Sequence, residues 1–208
     1  MKKIFIKICG ITNLEDAYTA SSLGADAVGF MMYEDSSRYI PLNEAASISK
    51  SIPKEVISVM VFVNPSKEYV QECLQAVPSA TLQFHGSEDL SFCSSFNKSF
   101  IKAIQVDSHT NFKQLSKDFS SVKMLLLDSK DKNLKGGTGK SFKWDIISED
   151  LKVPFILAGG LNSDNIEKAL RTVSCAGVDV STGVESSPGK KDPEKIKEFI
   201  EKVRNFNG

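Results

Sequence analysis

Eight short apolar runs recur through the 208-residue chain, and no other feature limits its possible folds as much. They are Ile4–Cys9, Ala27–Met31, Val56–Val63, Ala80–His85, Phe100–Gln105, Val122–Asp128, Pro154–Ala158 and Gly177–Ser181. All are apolar with β-branched residues among them, and apart from Ala80–His85 they lack polar alternation. That is the pattern of strands buried on both faces of a parallel sheet. Helical patterns lie between the runs. In the last, Ile196, Phe199, Ile200 and Val203 form one stripe, and Asp192-Pro193-Glu194 supplies a cap, a first-turn proline and an acid near the positive helix end. Thr12 and Glu15 fit a capping box for the first helix. Asn162 or Ser163 can cap the helix carrying Ile166, Ala169, Leu170 and Val173. No linker-like tract divides the units. Eight strand–helix units predict an α/β protein, a single (β/α)8 (TIM) barrel over residues 1–208. The alternative, an open doubly wound sheet, would carry Gly-x-Gly-x-x-Gly after its first strand, where this chain has Cys9-Gly10-Ile11-Thr12.

Composition removes several functional classes. Lys and Arg number 26, as do Asp and Glu, so no net positive charge favours nucleic acid or a membrane surface. No apolar run is long enough to span a bilayer, and the apolar start is too short for a signal-peptide core, which predicts a cytoplasmic protein. The four cysteines, Cys9, Cys73, Cys93 and Cys175, show no metal-type spacing, and a core this size needs no disulfides. Cys73 shares a helical face with Tyr69, Val70 and Val77, and Cys93 lies beside Leu90 and Phe96, so both read as packing residues. Cys175 merely precedes a strand. With His85 and His109 the only histidines, no metal site is expected.

Chemistry-bearing residues collect where the strands stop. Cys9 ends the first run, Arg38 follows the second, Asn64 the third, His85 ends the fourth and Asp128 the sixth. Gly159-Gly160 follows the seventh, and Ser181-Thr182-Gly183 the eighth. In a barrel all of these face one mouth. The two glycine-containing loops, with the Ser181 and Thr182 hydroxyls, suit a phosphate cradled by backbone amides, although glycines also serve tight turns. Asp128, at the rim of Met124-Leu125-Leu126-Leu127, is expected to be partly desolvated, which suits a general acid. It could instead cap a loop or pair with Lys130 or Lys140. Arg38 can hold a carboxylate with two parallel hydrogen bonds; taken alone it reads as a surface arginine. His85 shares strand parity with Gln83 and reads as a satisfied structural histidine. Lys7 shares parity with Cys9, and Asp179 with Ser181. Closure would set Lys7 beside Asp179, either to neutralise two buried charges or to bias the Cys9 thiol toward thiolate. Cys9 itself, taken alone, reads either as a small buried hydrophobe or as an active thiol.

In order along the chain stand Lys7-Ile8-Cys9-Gly10-Ile11-Thr12, Ser36-Ser37-Arg38-Tyr39-Ile40, Val61-Phe62-Val63-Asn64 and Leu82-Gln83-Phe84-His85-Gly86. Then come Leu127-Asp128, Gly136-Gly137-Thr138-Gly139, Leu157-Ala158-Gly159-Gly160-Leu161 and Gly177-Val178-Asp179-Val180-Ser181-Thr182-Gly183-Val184-Glu185. Taken together over nearly the whole length, these resemble the phosphoribosylanthranilate isomerases of tryptophan biosynthesis. The resemblance implies a cofactor-free Amadori rearrangement of N-(5-phosphoribosyl)anthranilate to 1-(2-carboxyphenylamino)-1-deoxyribulose 5-phosphate. It implies Asp128 as general acid, Cys9 as base, Arg38 on the anthranilate carboxylate, and Gly159, Gly160, Ser181, Thr182 and Gly183 around the phosphate. Lys7, His85 and Asp179 would stand behind these groups or touch substrate. The chain departs at Ser37, where Pro or Lys is usual, and at Thr182, where Ser is usual; the acid and base positions are untouched. The implied partner is a small phosphoribosyl substrate, handled by a monomer or homodimer.

Other barrels remain as alternatives. A histidine-pathway aldose–ketose isomerase would resemble two similar half-barrels with aspartate at the Cys9 position, and a ribulose-phosphate epimerase would want metal ligands. A non-catalytic sugar-phosphate sensor would need the mouth loops but neither Cys9 nor Asp128.

Overall fold

A computed structural model of the chain describes residues 3–129 and 144–206. The eight runs form eight strands: β1 (Phe5–Cys9), β2 (Ala27–Met31), β3 (Ile57–Phe62), β4 (Thr81–Phe84), β5 (Phe100–Val106), β6 (Met124–Ser129), β7 (Phe155–Leu157) and β8 (Gly177–Val180). They close into a barrel in sequence order, every neighbour parallel, with β8 paired back to β1. The expected (β/α)8 architecture is therefore the observed one.

Strand parity separates two cores. Ile6, Ile8, Val28, Phe30, Met60, Phe62, Leu82, Phe84, Leu125 and Leu127 point outward and are fully covered by helices. Ala27, Val59, Val61, Ile101, Ala103, Leu126 and Ile156 fill the barrel interior, with Cys9 and Ala158 in the same cluster. Most strand positions are thus buried on both faces, which is why most of the runs show no alternation. Cys73 and Cys93 are buried in the outer layer, as packing residues should be.

The helices are α1 (Leu14–Ser22), α2 (Leu42–Ser51), α3 (Lys67–Ala76), α4 (Leu90–Ser94), α5 (Phe112–Asp118), α6 (Ile166–Thr172) and α7 (Pro193–Arg204). The Asp192 carboxylate caps α7 by accepting from the Glu194 and Lys195 amides, with Pro193 as first helical residue. The capping box expected at Thr12 and Glu15 is not formed. Asn13 caps α1 by accepting from the Asp16 amide, while the Thr12 hydroxyl donates to the Gly189 carbonyl. Asn162 caps the turn ahead of α6, accepting from the Asp164 and Asn165 amides, and Asn165 occupies the helix N-cap itself. Between β6 and β7 the described residues hold only a 3-10 turn at Trp144–Ile146. A small antiparallel hairpin of β9 (Glu185–Ser187) and β10 (Lys190–Lys191), which the sequence did not announce, follows β8. No helix among the described residues is long and apolar enough to cross a membrane.

Candidate active site

Inward parity brings Lys7 and Cys9 from β1, Gln83 and then His85 from β4, Asp128 from β6, and Asp179 and then Ser181 from β8 to the same side of the sheet, with the later residue of each strand nearer the mouth. Lys7 and Asp179 are register partners across the closing seam. The Lys7 Nζ donates to the Asp179 Oδ1 at 2.8 Å, and the lysine is fully buried. Burial alone would depress the ammonium, but the charges of Asp179 and Cys9 outweigh it and hold Lys7 above its ordinary range. Cys9 is 7 % exposed. Burial raises its thiol, the Lys7 ammonium opposes this by charge and hydrogen bond, and burial wins. The expected bias toward thiolate is thus present as one contribution but is not the net result.

Room for these groups comes from β2. A Cβ on Gly29, the register partner of Cys9, would stand 2.8 Å from the Cys9 sulfur and 3.1 Å from Lys7 Cε and Nζ. The Gly29 carbonyl also accepts from the Gly10 and Ile11 amides, which stops β1 at the thiol. Gly10 turns the chain there with φ +76°, and a side chain on it would strike Arg38 and Ser181.

Arg38 reaches the mouth but is already engaged. Its Nε and Nη2 donate to Glu185 Oε1 and Oε2 at 2.8 and 2.6 Å, while Nη1 donates to Ser37 Oγ at 3.1 Å. Glu185 also accepts from Lys191 Nζ at 2.9 Å. Its carboxyl lies below the usual range because the hydrogen bonds from Arg38 and Lys191 overcome the effect of burial. The Lys191 amide in turn donates to Asp16. The carboxylate-holding fork expected of Arg38 is therefore half occupied by the protein's own acid. Glu185 and Lys191 escaped the sequence reading. Their one signal was a charge directly after the apolar Val184, in a segment quoted only for its likeness.

The β7 and β8 loops lie against each other. Gly159 and Gly160 have φ of +85° and +70°, and a Cβ on Gly160 would meet nothing within 4 Å among the described residues. A Cβ on Gly183 would collide with the Leu161 carbonyl and Asn162, so glycine there lets the loops touch. Thr182 begins a 3-10 turn, Thr182–Val184, and is exposed. The loops after the seventh and eighth strands are where (β/α)8 barrels frequently hold phosphate.

Asp128 stands apart from Cys9, with β7 and β8 between them on the short way round. Its side chain is 29 % exposed, and its Oδ2 lies 3.3 Å from His85 Nε2. His85 Nδ1 lies 3.0 Å from the Gln83 amide nitrogen. Lys130, Lys140 and the Gly136-Gly137-Thr138-Gly139 segment lie outside the described residues. Asn64, in the loop after β3, builds a clasp with the loop after β4. With φ +48°, it accepts on Oδ1 from the Ser87 amide and hydroxyl, and its own amide donates to Glu88. Among the described residues, no group of three His, Cys, Asp or Glu is placed to hold a metal ion.

Such a mouth can supply a proton, accept one, and hold two anions. Comparison with known proteins identifies the group to which it belongs. The profile of the N-(5'-phosphoribosyl)anthranilate (PRA) isomerase family matches residues 6–202. The chain belongs to the N-(5'-phosphoribosyl)anthranilate isomerase family. Among curated family members, that of Hahella chejuensis is 46 % identical over 202 residues, covering 97 % of this chain and 95 % of that one. The Nitrosomonas europaea enzyme is 42 % identical over 203 residues, covering 98 % and 96 %. The phosphoribosyl anthranilate isomerase of Thermotoga maritima superposes with a TM-score of 0.86 at 39 % identity, over 96 % of this chain and 98 % of that one. A family structure solved with reduced 1-(o-carboxyphenylamino)-1-deoxyribulose 5-phosphate matches with a TM-score of 0.82 at 37 % identity, with the same coverage. A 3-hexulose-6-phosphate synthase, 14 % identical with a TM-score of 0.67, shares the fold alone.

Proposed function

We propose that the chain is a phosphoribosylanthranilate isomerase of tryptophan biosynthesis, working in the cytoplasm on N-(5-phosphoribosyl)anthranilate. Its reaction would be the Amadori rearrangement to 1-(2-carboxyphenylamino)-1-deoxyribulose 5-phosphate. One observation carries the reading: a family member's barrel presents a thiol and a carboxyl to one mouth from well-separated strands. Asp128 as carboxylic acid gives its proton to the furanose ring oxygen, the C1′–O bond breaks, and the amine lone pair completes a Schiff base. Cys9 as thiolate then removes the C2′ proton, and the C–H electrons move into the enolamine. Reprotonation at C1′ and loss of the C2′ hydroxyl proton give the ketone. Every step is a proton transfer within one substrate, so no cofactor is required.

The raised thiol has a remedy in the reaction itself. The cationic Schiff base adds positive charge near Cys9, beside that of Lys7, and this favours the thiolate at the moment it is needed. The substrate carboxylate would take the Nη1 and Nη2 edge of Arg38, displacing the Ser37 hydroxyl, while Glu185 keeps the other edge. Gly159, Gly160, Ser181, Thr182 and Gly183 would surround the phosphate.

A single-turnover assay on the anthranilate substrate tests the assignment. Cys9→Ala and Asp128→Ala should each slow conversion by about two to four orders of magnitude, with affinity for the reduced product analogue largely retained. Near-wild-type rates for both variants would exclude it.

A further inference from the structure

Gln83 is fully buried in the barrel, and its register partners Val61 and Ile101 offer no polar side-chain atom. Its amide nitrogen lies 3.0 Å from His85 Nδ1. The other end of the amide, Oε1, is buried with no hydrogen-bond partner among the described residues. Leaving a carbonyl oxygen unmatched is costly, so the orientation needs a reason, and the ring next to it provides one.

We propose that Gln83 is a positioning residue that fixes the tautomer of His85, so that the ring donates from Nε2 to Asp128. An amide N–H can donate to Nδ1 only if that nitrogen is bare. A neutral imidazole with bare Nδ1 carries its one proton on Nε2. Nε2 faces Asp128 Oδ2 at 3.3 Å. With the amide turned round, Oε1 would demand a proton on Nδ1 and leave Nε2 bare. With a neutral ring so arranged, Asp128 could meet Nε2 only by donating its own proton to it, away from substrate. The buried amide therefore decides whether Asp128 gives its proton to the histidine or to the sugar.

The consequence rests on the acid role assigned to Asp128 above. As the carboxylic acid yields its proton to the ring oxygen, negative charge develops on a carboxylate toward which Nε2–H already points. A donor held in place before charge appears strengthens its bond in the transition state without reorganisation. His85 and Gln83 act through Asp128 and need not touch substrate. The neighbouring loop is tied down independently: Glu88 holds the Asn64 and Gly86 amides and pairs with buried Lys102 at 2.9 Å. His85 sits at the edge of that clasp.

The chain has two histidines, so long-range proton–nitrogen spectra of histidine-labelled protein are simple, and His109→Gln identifies the second ring. At about pH 8, where an ordinary imidazole is neutral, His85 should show a protonated Nε2 and a bare Nδ1. Gln83→Glu should move a proton onto Nδ1. Gln83→Leu should lower kcat roughly tenfold with KM nearly unchanged, and His85→Gln, whose amide N–H can stand where Nε2 stands, should retain more activity than His85→Ala. A proton on Nδ1 in the wild type, or an unchanged kcat in Gln83→Leu, overturns the proposal. If the wild-type chain does not isomerise the substrate, the assigned reaction fails, while the ring spectrum still decides the tautomer.

Discussion

A thiol in a protein interior is a weak acid unless something favours its anion. At Cys9 three charges compete: Lys7 favours the thiolate, Asp179 opposes it, and Lys191 adds a smaller favourable share, all against a larger cost of burial. The pair behind the thiol is therefore tunable in both directions. Lys7→Met should move the pH profile of Cys9 alkylation upward. Asp179→Asn, which leaves the ammonium to the sulfur, should move it downward. Wild type should lie between them and above the ordinary value of 9.0. Mass spectrometry separates Cys9 from Cys73, Cys93 and Cys175, whose thiols burial pushes up to about 12, 11 and 11. Identical profiles for the two variants would show that the pair merely neutralises buried charge. Sequence parity alone placed Lys7 beside Asp179. It could not weigh burial against the ammonium, because desolvation depends on everything packed around the sulfur.

Between strands, small residues do the positioning. Gly29 has no notable sequence signature, lying inside a run that reads only as a buried strand, yet the thiol and the lysine stem occupy the volume its side chain would take. Gly29→Ala should overpack the seam, costing about 1–3 kcal/mol and slowing turnover by displacing Cys9. In a Cys9→Ala background the same change should cost less, since the closest contact is gone. Urea denaturation of the four proteins closes this cycle, and equal costs in both backgrounds would show that the crowding is not at the sulfur. The strands were legible within about two residues because their helix-facing rows are apolar and most of their positions are buried. The loop chemistry was less so. Arg38 was visible as a carboxylate holder, but its partner Glu185 lies 147 positions away, on a hairpin with no apolar run to announce it. Thr12 matched a capping box, yet the adjacent Asn13 supplied the cap and released Thr12 to bind the hairpin at Gly189. Local spacing cannot choose between two adjacent capping residues when a distant segment claims one of them.

A closed barrel has to hold its two chain ends together, and here the seam is secured below the site as well as within it. Asp26, just before β2, accepts from the Ile6 amide, Lys3 and Arg204. Arg204, in the last turn of α7, also donates to the Ile4 and Gly24 carbonyls. The first strand and last helix thus share one carboxylate. Burial would raise Asp26, but the hydrogen bonds from Arg204, Lys3 and the Ile6 amide outweigh it, and the acid lies below its ordinary value. Glu185, which ties the β9–β10 hairpin to Arg38, is lowered in the same sense. A carboxylate lowered in the folded state binds fewer protons there than in the unfolded chain. Its stabilisation is therefore complete above the unfolded values near ~4 and is lost as pH falls through the folded ones. Thermal stability should be level around neutrality and decline below about pH 4. Arg204→Ala should cost about 1–3 kcal/mol at pH 7 and less at acid pH, as Asp26 takes up its proton and its charge is lost. The two carbonyl contacts are lost at either pH, so a residual difference should persist. Equal costs at both pH values would mean that α7 is held by its packing and carbonyl contacts, and that the charge on Asp26 adds nothing to closing the barrel.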